Sequence, residues 1–287
     1  MRWWRQCRWH LLAVLHPSLS QRWFRWLASP TIRRYAIHHP QLAIKPLRPY
    51  LNRRWSFDQR AKVIVDTHDL ARRVSIIEEA LSHPEGVCLV QGDWAEADAF
   101  EVHLGRDQRF RKEGELVLAL VTDKRTEALC SLSLAFGHSA EGTLVCYIGS
   151  IQGRDGGSES LKAFAKAWHG MRAPALLLDI ARQLAQHVGA RALLGAGNAI
   201  HVHRSKHLLH LPFVHALHQD YDGLWEALGG YPGADGWYRL TMSEGRRERA
   251  DIPTRKRAQY QRRYEWLDEL GAHLHQRLEI PLPAHAA

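Results

Sequence analysis

The segment Gln152-Gly153-Arg154-Asp155-Gly156-Gly157 puts three glycines and an arginine between an apolar run and a helix-forming stretch. A glycine-rich turn ahead of a helix leaves backbone N–H groups near solvent, a geometry that suits phosphate or pyrophosphate and that also serves as an ordinary turn. The spacing matches neither the dinucleotide fingerprint nor the P-loop, since Lys162 comes too late for a phosphate-binding lysine. A second cluster, Trp168-His169-Gly170-Met171-Arg172, sets one imidazole and one guanidinium in a tight bend. There His169 reads as a general base and Arg172 as an anion clamp, or His169 simply closes a helix. Asn198, His201 and Arg204 follow a short apolar run, where open α/β sheets place ligand-binding loops, and are candidates to orient a substrate. Tyr221, Asp222 and Trp225 come next, and Lys256, Tyr260, Arg263 and Tyr264 fall on one helical stripe that can take phosphate, lipid or an acidic surface. The histidines at 201, 203, 207, 210, 215 and 218 carry no zinc-motif spacing, so no metal is assigned to them.

These residues need a scaffold, and the apolar pattern supplies one. Residues 58–81 read as a single amphipathic helix capped by Ser56 or Asp58. Strand-like runs follow at 87–90, 100–104, 116–122, 128–134 and 144–151, separated by turn residues that include Glu113-Gly114. Their short connections favour antiparallel pairing. Helices are then expected from a Ser158 cap to His169 and from Pro174 to His187, before a buried strand at 192–195 parallel to the one preceding the helices. A short helix at 221–228, a strand at 237–240 and a charged helix from about Thr254 complete the order. The expected fold is α+β: a mixed, mostly antiparallel sheet with one β-helix-β unit and flanking helices. Residues 1–57 form a basic, Trp-rich helical region, 58–280 a single core domain and 281–287 a frayed tail.

Charge is concentrated at the ends. Residues 1–60 carry twelve Lys/Arg and one acid, and 246–263 eight bases and two acids, leaving the body acidic although the whole chain is +9. Six of the eleven tryptophans lie in the first 60 residues, interleaved with arginine. Residues 1–30 therefore read either as a helix docked on the domain or as a contact for anionic membrane, with nucleic acid ranked below both. The four cysteines read as separate thiols, and no apolar stretch is long enough to span a bilayer. A cytoplasmic protein, peripheral at the inner membrane if residues 1–30 meet lipid, is the expectation.

The glycine turn and the element order resemble the GNAT acetyltransferase superfamily, whose Gln-x-x-Gly-x-Gly turn holds the pyrophosphate of an acyl-coenzyme A. That resemblance implies a donor, acyl-coenzyme A or an acyl carrier protein, held at Gln152, Gly153, Arg154, Gly156 and Gly157, and an envelope-related or peptide acceptor. Across nearly the whole chain, Lys45-Pro46 with Tyr50-Leu51, Ile148 through Gly153, His169 through Arg172 with Pro174, Tyr221-Asp222 with Trp225, and Ile252-Pro253 through Tyr264 resemble the VirK/YbjX family of Gram-negative bacteria. Ala173 separates Arg172 from Pro174, and Gln261 stands within the basic cluster, as departures from that pattern. The resemblance implies a context of virulence, envelope stress and antimicrobial-peptide resistance and brings no catalytic mechanism with it. The competing expectation is a non-enzymatic factor that binds lipid, nucleic acid or a protein through its basic ends.

Overall fold

The computed structural model describes residues 17–94, 97–122, 127–204, 219–243 and 245–279. The expectations that fall on Trp3, Trp4, Trp9, His207, His210, His215, His218 and the 281–287 tail lie outside them.

Eight strands form one sheet in the order β1-β2-β3-β4-β5-β6-β8-β7. They are β1 (Val87–Trp94), β2 (Ala97–Gly105), β3 (Leu116–Thr122), β4 (Cys130–His138), β5 (Leu144–Gly153), β6 (Ala192–Ala196), β7 (Tyr231–Pro232) and β8 (Trp237–Leu240). Strands β1 to β5 form an antiparallel meander, as their short turns require, and β8 pairs antiparallel with β6 and β7. Only β5 and β6 run parallel among the described strands, in register from Val145 with Ala192 to Ile148 with Gly195. Two helices, α5 (Ser158–Ala167) and α6 (Ala173–His187), make the crossover between them. The remaining helices are α1 (Pro17–Ala28), α2 (Pro30–His38), α3 (Phe57–Ala71), α4 (Ser75–Ser82), α7 (Tyr221–Ala227) and α8 (Arg257–Leu278).

Alternation along the strands divides the core between two faces. Leu118, Leu132, Leu134 and Ile148 meet α4, α6 and α8, while Ala135, Tyr147, Val145 and Leu194 meet α1 and α3. The helix expected over 58–81 is two helices. α3 is capped by a Ser56/Gln59 box and stops at Arg72, and Val74 takes an extended conformation before α4 starts. α3 spans both clusters, with Val63 and Ile64 in one and Leu70 and Ala71 in the main core, and after the break Ile76, Ile77 and Ala80 continue in the main core. Ser158 is the first residue of α5 and does not cap it; Gly157 holds the cap position without a side-chain bond. A 3-10 turn at Thr254–Lys256 delays the last helix to Arg257. Among the described residues no helix is long and apolar enough to cross a membrane.

Candidate functional site

The parallel pair sets the location. Register between β5 and β6 ends at Ile148 and Gly195, yet β5 continues to Gly153, so the strands part at their carboxyl ends. Gly149 is the pivot. Paired residues jump from Ser133–Ser150 to Leu134–Ile148, and a Cβ at 149 would collide with the Glu113 carbonyl oxygen. The segment carrying Glu113 is thereby seated in the opening.

Glu113 is 1% exposed and gathers polar partners from three other segments. Gln152 Nε2 donates to its Oε1 at 3.2 Å and also to the Tyr221 hydroxyl at 3.2 Å. His203 Nε2 lies 3.1 Å and His201 Nε2 3.6 Å from the same carboxylate oxygen. The His201 ring is fully buried, stacks on Tyr221 at 4.3 Å, and accepts the His203 N–H at Nδ1, which places its proton on Nε2 facing Glu113. Burial, then the nearby His203, pulls His201 down to about 3, so it is neutral at physiological pH. Burial likewise pushes the Tyr221 phenol above its ordinary range. Below Glu113, Ser133 donates to its carbonyl at 3.2 Å and lies 2.9 Å from Ser150. The ring of His203 is one-third exposed, so the network runs from solvent to the sheet interior. A partly exposed imidazole oriented by a buried carboxylate has the arrangement of a general base.

Two residues on, directly before β3, Glu115 is also buried and meets a different set of partners. Lys45 Nζ pairs with it at 2.6 Å and donates to Gly114 C=O at 3.2 Å, and His68 Nε2 is 3.6 Å from the second oxygen. Burial opposes ionisation there, but Lys45 and His68 outweigh it and hold Glu115 near 2. Lys45 also sits 4.7 Å over the fully buried Tyr50 ring. Between the two carboxylate sites runs the strap Tyr50-Leu51-Asn52-Arg53. Asn52 N–H closes a three-residue turn on Tyr50 C=O at 2.6 Å, with the buried Leu51 at φ 56°. Such a conformation is costly for a branched side chain and is held by its surroundings: Leu51 N–H bonds Lys112 C=O, Arg53 N–H bonds Ile200 C=O, and Asn52 bridges to His201.

The residues singled out in the sequence divide into three groups. Gln152, His201 and Tyr221 converge on Glu113, and Trp225 lies behind them, its ring over Gly195 and its Nε1 donating to Ala196 C=O. Asn198, Asp222 and Arg204 hold the loop after β6. Asn198 donates to Asp220 and accepts from Tyr221 N–H, Asp222 accepts Asn198 N–H, and Arg204 C=O accepts from Arg53. In the glycine turn, Gly156 has φ 68°, Arg154 N–H bonds Leu129 C=O, Gly157 N–H bonds Arg154 C=O, and Arg154 Nη2 reaches Ser160. A Cβ at Gly153 would meet the Leu161 side chain at 3.1 Å.

His169 and the C-terminal stripe stand elsewhere. The ten residues of α5, about 15 Å of helix, separate the glycine turn from His169. His169 has φ 50°, and its carbonyl accepts from Arg263 Nε and Nη2 at 3.1 and 2.9 Å. Arg263 stacks on Tyr260, Arg246 lies over Tyr264 and pairs with Asp268, Lys256 is exposed at the start of α8, and Arg172 donates to Ala227 C=O. Among the described residues, a trio that could take a metal ion is Cys88, Glu101 and His103 on β1 and β2, away from the histidine-rich segment.

Glu113, Glu115 and His203 were not among the sequence candidates. Glu113-Gly114 reads as turn chemistry, and the available signal was two acids flanking a glycine directly before a wholly apolar strand.

Over residues 1–276 the chain matches a family model described as "Protein of unknown function (DUF535)". It is 27% identical over 285 residues to "Uncharacterized protein YbjX" of Escherichia coli (strain K12), covering 92% of this chain and 84% of that protein. An "Uncharacterized protein" of Haemophilus influenzae is 27% identical over 183 residues, covering 63% of this chain and 58% of the relative. No solved structure matches. The chain belongs to the DUF535 family, which is the VirK/YbjX family.

Proposed function

We propose that this protein is an acyltransferase of GNAT-like build that takes its acyl group from a phosphopantetheine thioester. The observation that carries the reading is the polar network on Glu113, set where the parallel strands β5 and β6 separate at their carboxyl ends. The strand order supports it: one parallel pair in an otherwise antiparallel sheet, with β8 inserted between β6 and β7. Fold likeness alone does not give chemistry, so the assignment rests on the network.

The thioester carbonyl lies beside the exposed edge of His203, outside the space that the Glu113 segment fills, and the turn at Gln152–Gly157 faces the donor's phosphates. His203, oriented by Glu113, removes the proton from an acceptor amine or hydroxyl as that atom bonds the acyl carbon. The carbon–sulfur bond breaks and the proton passes to the departing thiolate, leaving free thiol and acylated acceptor. An envelope-related or peptide acceptor is the class we assign.

Thermal-shift and binding measurements with acyl-coenzyme A and acyl carrier protein test the donor. Wild type is expected to bind and Gly153→Val, whose side chain presses on Leu161, to bind weakly. Thiol release by wild type is expected to drop by roughly 10²-fold or more in His203→Gln. Absence of thioester binding, or equal binding and turnover in both variants, rejects acyl transfer.

A further inference from the structure

A cleft opens on the Glu115 side of the Glu113–Glu115 segment. The 3-10 turn at Pro40–Leu47, the Arg48–Tyr50 strap and residues 106–112 form its walls. Tyr50 and Gly114 lie in its floor. Five cationic side chains line it against two carboxylates. Both carboxylates are committed, Glu115 to Lys45 at 2.6 Å and Asp107 to the Arg109 guanidinium at 2.9 and 2.7 Å. Among the described residues no carboxylate lies within ion-pair distance of Arg106, Arg111 or Lys112.

The cations act on one another. Burial lowers the Lys112 pKa, and Arg111 and Arg48 lower it further. Lys45 is lowered by burial against the opposing pull of Glu115, with Arg106 a smaller lowering influence, and His39 is drawn down to about 4 by burial and then by Arg106. Like charges held this close cost stability unless an anion relieves them. They are also held rigidly. The strained turn at Leu51 is tied to Lys112 C=O, Asp107 caps the following turn through Arg109 N–H, and the Arg111 guanidinium is fixed on Gln108 C=O.

We infer that this cleft binds a phosphate-bearing small molecule, its phosphoryl oxygens held by Arg106, Arg111 and Lys112. Guanidinium groups in a concave wall match phosphate oxygens in pairs, and the ammonium adds a point charge. Nucleobase recognition does not fit, because Tyr50, the aromatic ring of the cleft, is fully buried under Lys45 and offers no stacking face. The site is distinct from the opening at Glu113, and the inference does not depend on acyl transfer.

Inorganic pyrophosphate is the probe, titrated calorimetrically into the full chain at low and high salt. We expect saturable binding that weakens with salt and falls at least about tenfold in Arg111→Gln/Lys112→Gln, as removal of charged hydrogen bonds implies. Without ligand the double variant is expected to melt at or above the wild-type temperature, because repulsion is relieved; this also reports its folding. Arg106→Gln, a single change at the other end of the 106–112 wall, is expected to weaken binding independently. Flotation with vesicles of phosphatidylcholine, with and without phosphatidic acid, separates two sources of the phosphate. Flotation lost in the double variant assigns a lipid headgroup, and pyrophosphate binding without flotation assigns a soluble phosphate ester. No binding of either probe, or equal binding by wild type and variants, overturns the inference.

Discussion

The carboxylates Glu113 and Glu115 are both buried but are balanced differently. Glu115 has a cation in contact, while Glu113 is surrounded by an amide and two imidazoles. Removing one partner of a buried ion pair leaves the other uncompensated, so Lys45→Met should cost about 3–5 kcal/mol in urea unfolding. Lys45→Met/Glu115→Leu should recover most of that, and a double variant as unstable as the single one contradicts the pairing. His201 gives a pH signature. Its folded pKa, about 3, lies below the ordinary 6.5, so the unfolded chain binds the extra proton between those values. Its contribution is therefore complete above about pH 6.5 and declines as pH falls, by about 1.4 kcal/mol per unit. The stability slope from pH 6 to 5 should flatten in His201→Phe; an unchanged slope places the proton elsewhere. None of this balance is visible locally. Lys45 and His203 lie 70 and 90 residues from the acids they meet, and single residues carry no periodicity that announces such pairing.

Elements were easier to read than partners. All five meander strands overlap the apolar runs that turn residues bound, since such runs and turns leave a local record. The break between α3 and α4 left a weaker one: 58–81 keeps an apolar pattern throughout, and only the extended Val74 between the two helices marks where the chain turns. The bulge at Gly149 was equally hidden, because glycine inside an apolar strand has several explanations. Its local meaning is now specific. A methyl group at 149 would strike the Glu113 carbonyl, so Gly149→Ala must move the segment that carries both acids. We expect it to lose about 1–3 kcal/mol, as overpacked cores do, and to diminish both thioester and pyrophosphate binding. Gly142→Ala, at a turn where an added Cβ meets nothing within 4 Å but φ is 78°, is the comparison: a cost near 1 kcal/mol with both ligands still bound. Equal loss of binding in the two variants would separate Gly149 from the site.

At the scale of the whole molecule, the basic amino-terminal region and the core are joined through tryptophan. Trp23 is 3% exposed, donates from Nε1 to Ala43 C=O at 3.0 Å, and packs on Trp26 and edge-on to Phe57. Trp26 in turn meets His68, the neighbour of Glu115, so α1 roofs the layer beneath which the Lys45 pair lies. The arginines of the same helix point outward, with Arg22 no closer than 3.6 Å to the exposed Asp58. One helix thus presents indoles to the core and guanidinium groups to the surroundings, and the two faces have separable consequences. Trp23→Ala removes a buried aromatic and its hydrogen bond and should cost about 3–5 kcal/mol, lowering Tm by roughly 10 °C. Arg22→Gln/Arg25→Gln should leave Tm within a degree or two, since exposed pairs contribute little. If this helix contacts anionic membrane, flotation on phosphatidylglycerol vesicles must weaken in the arginine variant while its Tm is unchanged. A loss of flotation confined to Trp23→Ala would instead trace the contact to the folded core, and equal flotation of all three proteins would remove α1 from any lipid-binding role.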